Sequence, residues 1–198
     1  MPITEPNHEK LLHNAGDPGG LATLAYAGVI SQAAARGQTP LIRALPEESF
    51  QLLLARYFPS LKLANGHRTD HDGRMDEFDD LLHLLLEHQA EPSQENTWLA
   101  YAMASAAMAD DHLWQDMGLP SRKILSDLIA RYFPEMKARN VGDMKWKKFF
   151  YRQLCERANI PICKSPSCAE CSDYPLCFGS EDGGRQPVTT VASLRWIP

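Results

Sequence analysis

The sequence predicts an all-α fold: a helical bundle of about six helices with an internal duplication, followed by an irregular Cys-rich metal-binding loop. Three observations carry that prediction. Long stretches are rich in Ala and Leu and poor in β-branched residues, which favours helix. Prolines and acidic residues fall where helices should begin and end. No segment alternates apolar and polar residues with the period of two that a half-buried strand needs.

Residues 20–36 form the first predicted helix, built from Ala, Leu and Tyr. Pro46-Glu47-Glu48 opens a second, with Pro in the first turn and acids near the positive dipole end, and Pro59 stops it. A polar loop with Asn65-Gly66 and Asp72-Gly73 leads to a third helix from Met75 to His88, ending before Glu91-Pro92. Helices over 95–110 and 121–132 follow, the latter stopped by Pro134. A sixth spans 143–158, with Trp146, Phe149, Phe150 and Leu154 at helical spacing.

The chain also repeats itself. Leu24-Ala25-Tyr26-Ala27 recurs as Leu99-Ala100-Tyr101-Ala102, and Ala55-Arg56-Tyr57-Phe58-Pro59 recurs as Ala130-Arg131-Tyr132-Phe133-Pro134. Both pairs are offset by 75 residues, and ungapped alignment of 24–59 with 99–134 gives 11 identities. Two copies are too few for a solenoid, so the duplication implies a compact bundle. The Arg-Tyr-Phe-Pro aromatics read as core and helix-stop residues, since both copies carry them. The expected organisation is a disordered N-terminus over 1–17 and a helical domain over 18–160, its related copies covering 20–90 and 95–158. A Cys-rich iron–sulfur loop over 161–178 and a mobile tail over 179–198 complete it.

Composition excludes several classes. The chain has 198 residues, 44% of them hydrophobic, and a formal charge of −5. Mean hydropathy is −0.34, and no apolar run reaches the ~18 residues of a membrane helix. Met1 to Asp17 lacks the basic and apolar regions of a signal peptide, so the expectation is a soluble, cytoplasmic protein with no membrane partner. Charge is uneven: residues 135–164 hold 8 Lys and Arg against 3 acids, whereas residues 1–134 hold 10 against 18. An acidic chain with no nucleic-acid reader motif is not expected to bind nucleic acid. It also has no phosphate-cradling loop and no nucleophile–base motif, so nothing in the sequence points to an enzyme.

All five cysteines fall between Cys155 and Cys177. An odd count in one short segment is a poor disulfide framework and reads first as a metal site. The spacing is Cys163-x4-Cys168-x2-Cys171-x5-Cys177. Four thiolates converge here only if the backbone wraps around something, and Pro161, Pro166 and Pro175 suit such a wrap. Lys148, Arg157 and Lys164 would lower the thiol pKa values. Structural zinc usually pairs two knuckles across a longer spacer. Iron–sulfur clusters tolerate several unequal short gaps, and a single Cys-x2-Cys leans that way. Cys155, beside Leu154 on a helix, reads as a packed thiol, with a ligand role as the alternative.

Residues 144–156, Met-Lys-Trp-Lys-Lys-Phe-Phe-Tyr-Arg-Gln-Leu-Cys-Glu, followed by the four cysteines and Cys177-Phe178-Gly179, closely resemble the NifQ family. His112-Leu113-Trp114-Gln115-Asp116-Met117-Gly118-Leu119 and the segment from Arg74 to Leu82 resemble it too. The resemblance implies an iron–sulfur protein that binds molybdenum as a Mo-3Fe-4S cluster and donates it for nitrogenase iron–molybdenum cofactor assembly. Cys163, Cys168, Cys171 and Cys177 would be the ligands of a 3Fe-4S or 4Fe-4S type cluster. Cofactor-assembly proteins, a scaffold and a reductase, would be the acceptors. The alternatives are a zinc-stabilised helical interaction module and a redox iron–sulfur electron carrier.

Other side chains are secondary candidates. Lys145, Lys147, Lys148 and Arg152 could attract molybdate or dock an acidic partner, against the plainer reading of solvated helix charges. Asp79, His83 and Glu87 share a helix face and could hold a metal, although acids flanking a Leu-rich helix usually form its wet side. His67 and His71 lie in the loop before it. His112, after Asp110-Asp111, has no histidine counterpart in the first copy, where Gly37 stands.

Overall fold

Apolar segments of helical period must bury one face, and here they do so against one another in a single core. The computed structural model of the chain describes residues 6–66, 75–159, 171 and 174–181. Ten helices and no strand occur among them. They are α1 His8–His13, α2 Leu21–Ala35, α3 Glu47–Tyr57, α4 Met75–Glu87, α5 Gln94–Ala107, α6 Leu113–Asp116, α7 Arg122–Tyr132, α8 Pro134–Arg139, α9 Trp146–Arg157 and α10 Tyr174–Phe178. None is long and apolar enough to cross a membrane.

The six expected helices correspond to α2, α3, α4, α5, α7 and α9. Four short ones are additional. One corrects the reading of 1–17 as disordered: Asn7 caps α1 by accepting from Lys10 N–H at 2.8 Å, and Leu11 is fully buried in the common core. Buried Leu11, with Leu12 packed beside it, and a side-chain cap hold this short helix. Another, α10, lies where an irregular loop is expected. Residues 67–74, 160–170, 172–173 and 182–198 are outside the described residues, and with them Cys163, Cys168, His67 and His71.

The centre of the bundle is α2 against α5. Nine of the fifteen α2 residues are buried, mostly Ala and other small side chains, so neighbours close in on several sides. The tightest approach is at Gly28. A Cβ there would lie 1.9 Å from the Met117 carbonyl oxygen and 3.0 Å from the Cα of Gly118, itself at φ +61°.

The duplication is visible in the elements themselves. Shifting α3 by 75 residues gives the bounds of α7. The closing residues Phe58 and Phe133 share nearly the same backbone angles, φ −137° ψ 60° and φ −138° ψ 56°. Glu95, in the first turn of α5, joins the two copies. Its Oε1 accepts from the hydroxyls of both Tyr57 and Tyr132, and its backbone carbonyl accepts from Tyr26 Oη at 3.0 Å. Burial raises the Tyr26 and Tyr57 pKa values, so both phenols stay protonated donors. Arg56 and Arg131 each lie over the ring of the tyrosine that follows, at 5.7 and 5.4 Å.

On α4 the apolar stripe Phe78, Leu81, Leu82, Leu84 and Leu85 is buried, while Asp79, Asp80, His83 and Glu87 are exposed. The acids and His83 are its wet face, and Glu87 pairs there with Arg157 of α9.

Replacing Gly28 with Ala should therefore cost about 3 kcal/mol, the upper end of overpacking penalties, because a backbone oxygen cannot rotate away. Thermal unfolding of Gly28→Ala is expected to show a midpoint roughly 6–12 °C lower than wild type.

Candidate metal centre

The segment carrying the last cysteine is seated on the start of α9, and the seat is built from the core outward. Trp146, Phe149 and Phe150 are buried at the N-terminal end of α9. Trp146 Nε1 donates to Ser126 Oγ of α7 at 3.1 Å, and the Trp146 and Phe149 rings meet edge to face at 5.8 Å. Ahead of α9, Asn140 closes the turn by bonding both the N–H and the carbonyl of Met144, at 2.8 and 2.9 Å. With the turn fixed, the residue after it has little freedom.

That residue is Lys145. Its backbone N–H donates to the Cys177 carbonyl at 2.8 Å, and its Nζ donates to the Pro175 carbonyl at 3.2 Å. Within the seated segment, Gly179 N–H returns to Pro175 O at 3.0 Å and Tyr174 N–H to Cys171 O at 3.1 Å. Tyr174 stacks on Phe178 with ring centroids 4.5 Å apart. Phe178 in turn covers Gly142, where a Cβ would come within 3.1 Å of the ring.

Beyond α10 the chain ends its described course at Glu181, which is 6% exposed. Its carboxylate lies 3.5 Å from His112 Nδ1 and 3.4 Å from Arg122 Nε. The Arg122 guanidinium is held independently, by Asp143 Oδ2 at 2.6 Å and by the carbonyls of Asp143 and Met144 at 2.8 and 3.1 Å. Burial, then the nearby Lys145 and Lys147 charges, push the His112 pKa below its ordinary value, so the ring is mostly neutral at pH 7.

Beneath His112 lies a buried ionic cluster. The fully buried Asp116 carboxylate meets Arg36 and Lys147, each at 2.6 Å, and accepts from Asp111 N–H at 3.0 Å. Lys147 Nζ also donates to Ala109 O at 2.8 Å, and desolvation lowers its pKa against the pull of Asp116.

These contacts correct part of the sequence reading. Lys147 does not face solvent to attract an anion; it is consumed by Asp116. Lys145 is likewise buried and committed to α10 carbonyls. Lys148 is half-buried, and Arg152 pairs with Glu156 of its own helix at 2.6 Å. Two of the basic residues of 135–164, Lys145 and Lys147, are thus spent inside the molecule, while Lys137, Arg139, Arg152 and Arg157 keep contact with solvent. Of the metal candidates, Cys171, Cys177 and Cys155 are half-buried, and Cys177 packs against the core. His83 stands apart on α4. Among the described residues no group of three or more His, Cys, Asp or Glu side chains converges for a metal ion.

The donor chemistry of Cys171 and Cys177 fits an iron–sulfur cluster, and zinc as well: two soft thiols, neither sealed in the core, one before the one-turn helix α10 and one in its last turn. Two clefts of about 370 Å³ lie elsewhere, one around Arg56, Glu95 and Arg131 and one around Glu87, His88 and Arg157, with no described cysteine in either. Arg122, Asp116 and Glu181 were not legible as site residues. The available signal was that Asp116 lies four residues after His112 and Glu181 four after Cys177.

A helical platform that presents a cysteine segment at its surface is the class of protein these features define. The chain matches the NifQ family model over residues 25–179, and it belongs to that family. It is 45% identical over 108 residues to the protein NifQ of Azotobacter vinelandii, covering 54% of this chain and 55% of that one. It is 44% identical over 98 residues to the protein NifQ of Rhodobacter capsulatus, covering 50% and 54%. The chain thus spans about half the length of the curated relatives it matches. No solved structure matches it.

The ionic cluster predicts a stability effect. Asp116→Asn leaves Lys147 charged, buried and without a counter-ion, so it should destabilise the fold by about 3–5 kcal/mol in urea denaturation. Lys123→Ala, at the exposed pair with Asp127, should cost no more than about 1 kcal/mol.

Proposed function

We propose that this chain binds an iron–sulfur cluster through Cys163, Cys168, Cys171 and Cys177, takes up molybdenum there as a Mo-3Fe-4S unit, and donates it for assembly of the nitrogenase iron–molybdenum cofactor. The observation that carries the reading is membership of the NifQ family across residues 25–179, a span that includes all four cysteines. Three thiolates suffice for three irons, and the fourth serves the heterometal corner, or a fourth iron when molybdenum is absent. The protein acts as a carrier with no turnover of its own. Its acceptors are the scaffold and reductase proteins of cofactor assembly.

The seat of Cys177 suits that role. Lys145 fixes the backbone on both sides of Leu176 through contacts to the Pro175 and Cys177 carbonyls, not through the thiol. A half-buried position shields a cluster partly while leaving one side open for transfer.

Protein purified without oxygen should be brown and contain iron, sulfide and substoichiometric molybdenum. Serine replacement of each of the four cysteines in turn should lower iron content and abolish molybdenum loading. A colourless protein with one zinc would overturn the reading in favour of an interaction module. Reversible one-electron redox without molybdenum uptake would overturn it in favour of an electron carrier, and four Ser variants that still load and transfer molybdenum would overturn the assignment of these cysteines.

A further inference from the structure

We propose that Glu181 is a positioning residue: clamped between His112 and Arg122, it closes the end of the cysteine segment and holds Cys177 on the helical body before any metal is bound. The inference rests on the reading that Cys177 is a thiolate ligand, but the clamp itself is a property of the metal-free chain.

A carboxylate loses its hydration when buried and stays there only if cations face it. Glu181 is 6% exposed; Arg122 supplies the cation, its Nε at 3.4 Å, and the mostly neutral His112 ring flanks the carboxylate with Nδ1 at 3.5 Å. The Arg122 guanidinium is set by Asp143 and by two carbonyls, so it is in place whether or not Glu181 arrives. A preset cation at the end of a short segment is a receptor for that segment's anion.

The other contacts make the segment a closed unit. Lys145 holds the Pro175 and Cys177 carbonyls, Gly179 N–H returns to Pro175, and Phe178 covers Gly142. Glu181 lies four residues past Cys177 and fixes the far end. A thiol held between two such anchors has already lost the conformational freedom that metal binding would otherwise have to remove. The clamp raises metal affinity without contributing a donor atom.

The test uses the full-length, reduced, metal-free chain and its Glu181→Gln and Glu181→Ala variants. Amide hydrogen exchange reads the clamp directly at Lys145 N–H and Gly179 N–H, the amides bonded to the Cys177 and Pro175 carbonyls. Anaerobic titration with Co2+ reads thiolate ligation from the thiolate-to-cobalt charge-transfer absorption. Loss of the ion pair should speed exchange at both amides and weaken Co2+ binding, each by about tenfold, while absorption per bound cobalt is unchanged. Glu181→Gln keeps the side-chain shape, so it should fold even if the Ala variant does not. Unchanged exchange in both variants would overturn the clamp. Faster exchange with undiminished Co2+ affinity would overturn its positioning role, and a lower absorption per cobalt would make Glu181 part of the ligand geometry instead. If the wild type gives no thiolate–cobalt band, the metal reading fails while exchange still decides the clamp.

Discussion

The fully buried carboxylate of Asp116 is the constraint on which the site depends. It receives Arg36 from the end of α2 and Lys147 from the first turn of α9, and it fixes the loop before α6 through Asp111 N–H. Three parts of the chain that are remote in sequence are thereby tied at one point. A buried ion pair contributes little net stability compared with an apolar pair of similar volume, but it is strict about geometry, because a misplaced charge in the interior is costly. That strictness sets the position of His112 above it and of Lys145 beside it. The cysteine segment then rests on residues whose placement is already decided.

Internal symmetry and site chemistry divide the chain between them. Glu95, Tyr57 and Tyr132 join the copies near their symmetric closing turns, and the matching bounds of α3 and α7 show how closely the framework repeats. The site breaks the symmetry. At the 75-residue offset, His112, Asp116 and Arg122 correspond to Gly37, Leu41 and Glu47. Copy one thus keeps small, apolar or oppositely charged residues where copy two has the groups that receive α9 and the Glu181 carboxylate. A duplicated scaffold has been specialised on one half, and the basic and cysteine-bearing residues follow that half in the chain.

Legibility varied with the length of the element and the range of the interaction. The six longer helices could be read because each covers three or more turns, long enough for composition, period and proline stops to agree. The short helices α1, α6, α8 and α10 span four to six residues, too few for periodicity to register. Each is held by something local or tertiary: an Asn7 cap, the packing of Leu113, Pro134 at the first helical position, and Lys145 on carbonyls. The Asp79–His83–Glu87 face was read both as a possible metal face and as a wet one, and its exposure supports the second. The basic run was misread in part, because charge along a sequence says nothing about which lysines a distant aspartate will bury.

The sequence by itself determined the helical class, the duplication, the position of the longer helices and the clustering of the thiols. Those properties are local, or follow from spacing along one chain, so composition and period carry them. Only the tertiary structure decided that Lys147 belongs to Asp116, that Lys145 grips the Pro175 and Cys177 carbonyls, and that Glu181 lies between His112 and Arg122. Each of these joins residues between 30 and 69 positions apart. The physical reason is that a charged side chain is indifferent between water and a partner until packing removes the water. Which charges lose it depends on how the helices close.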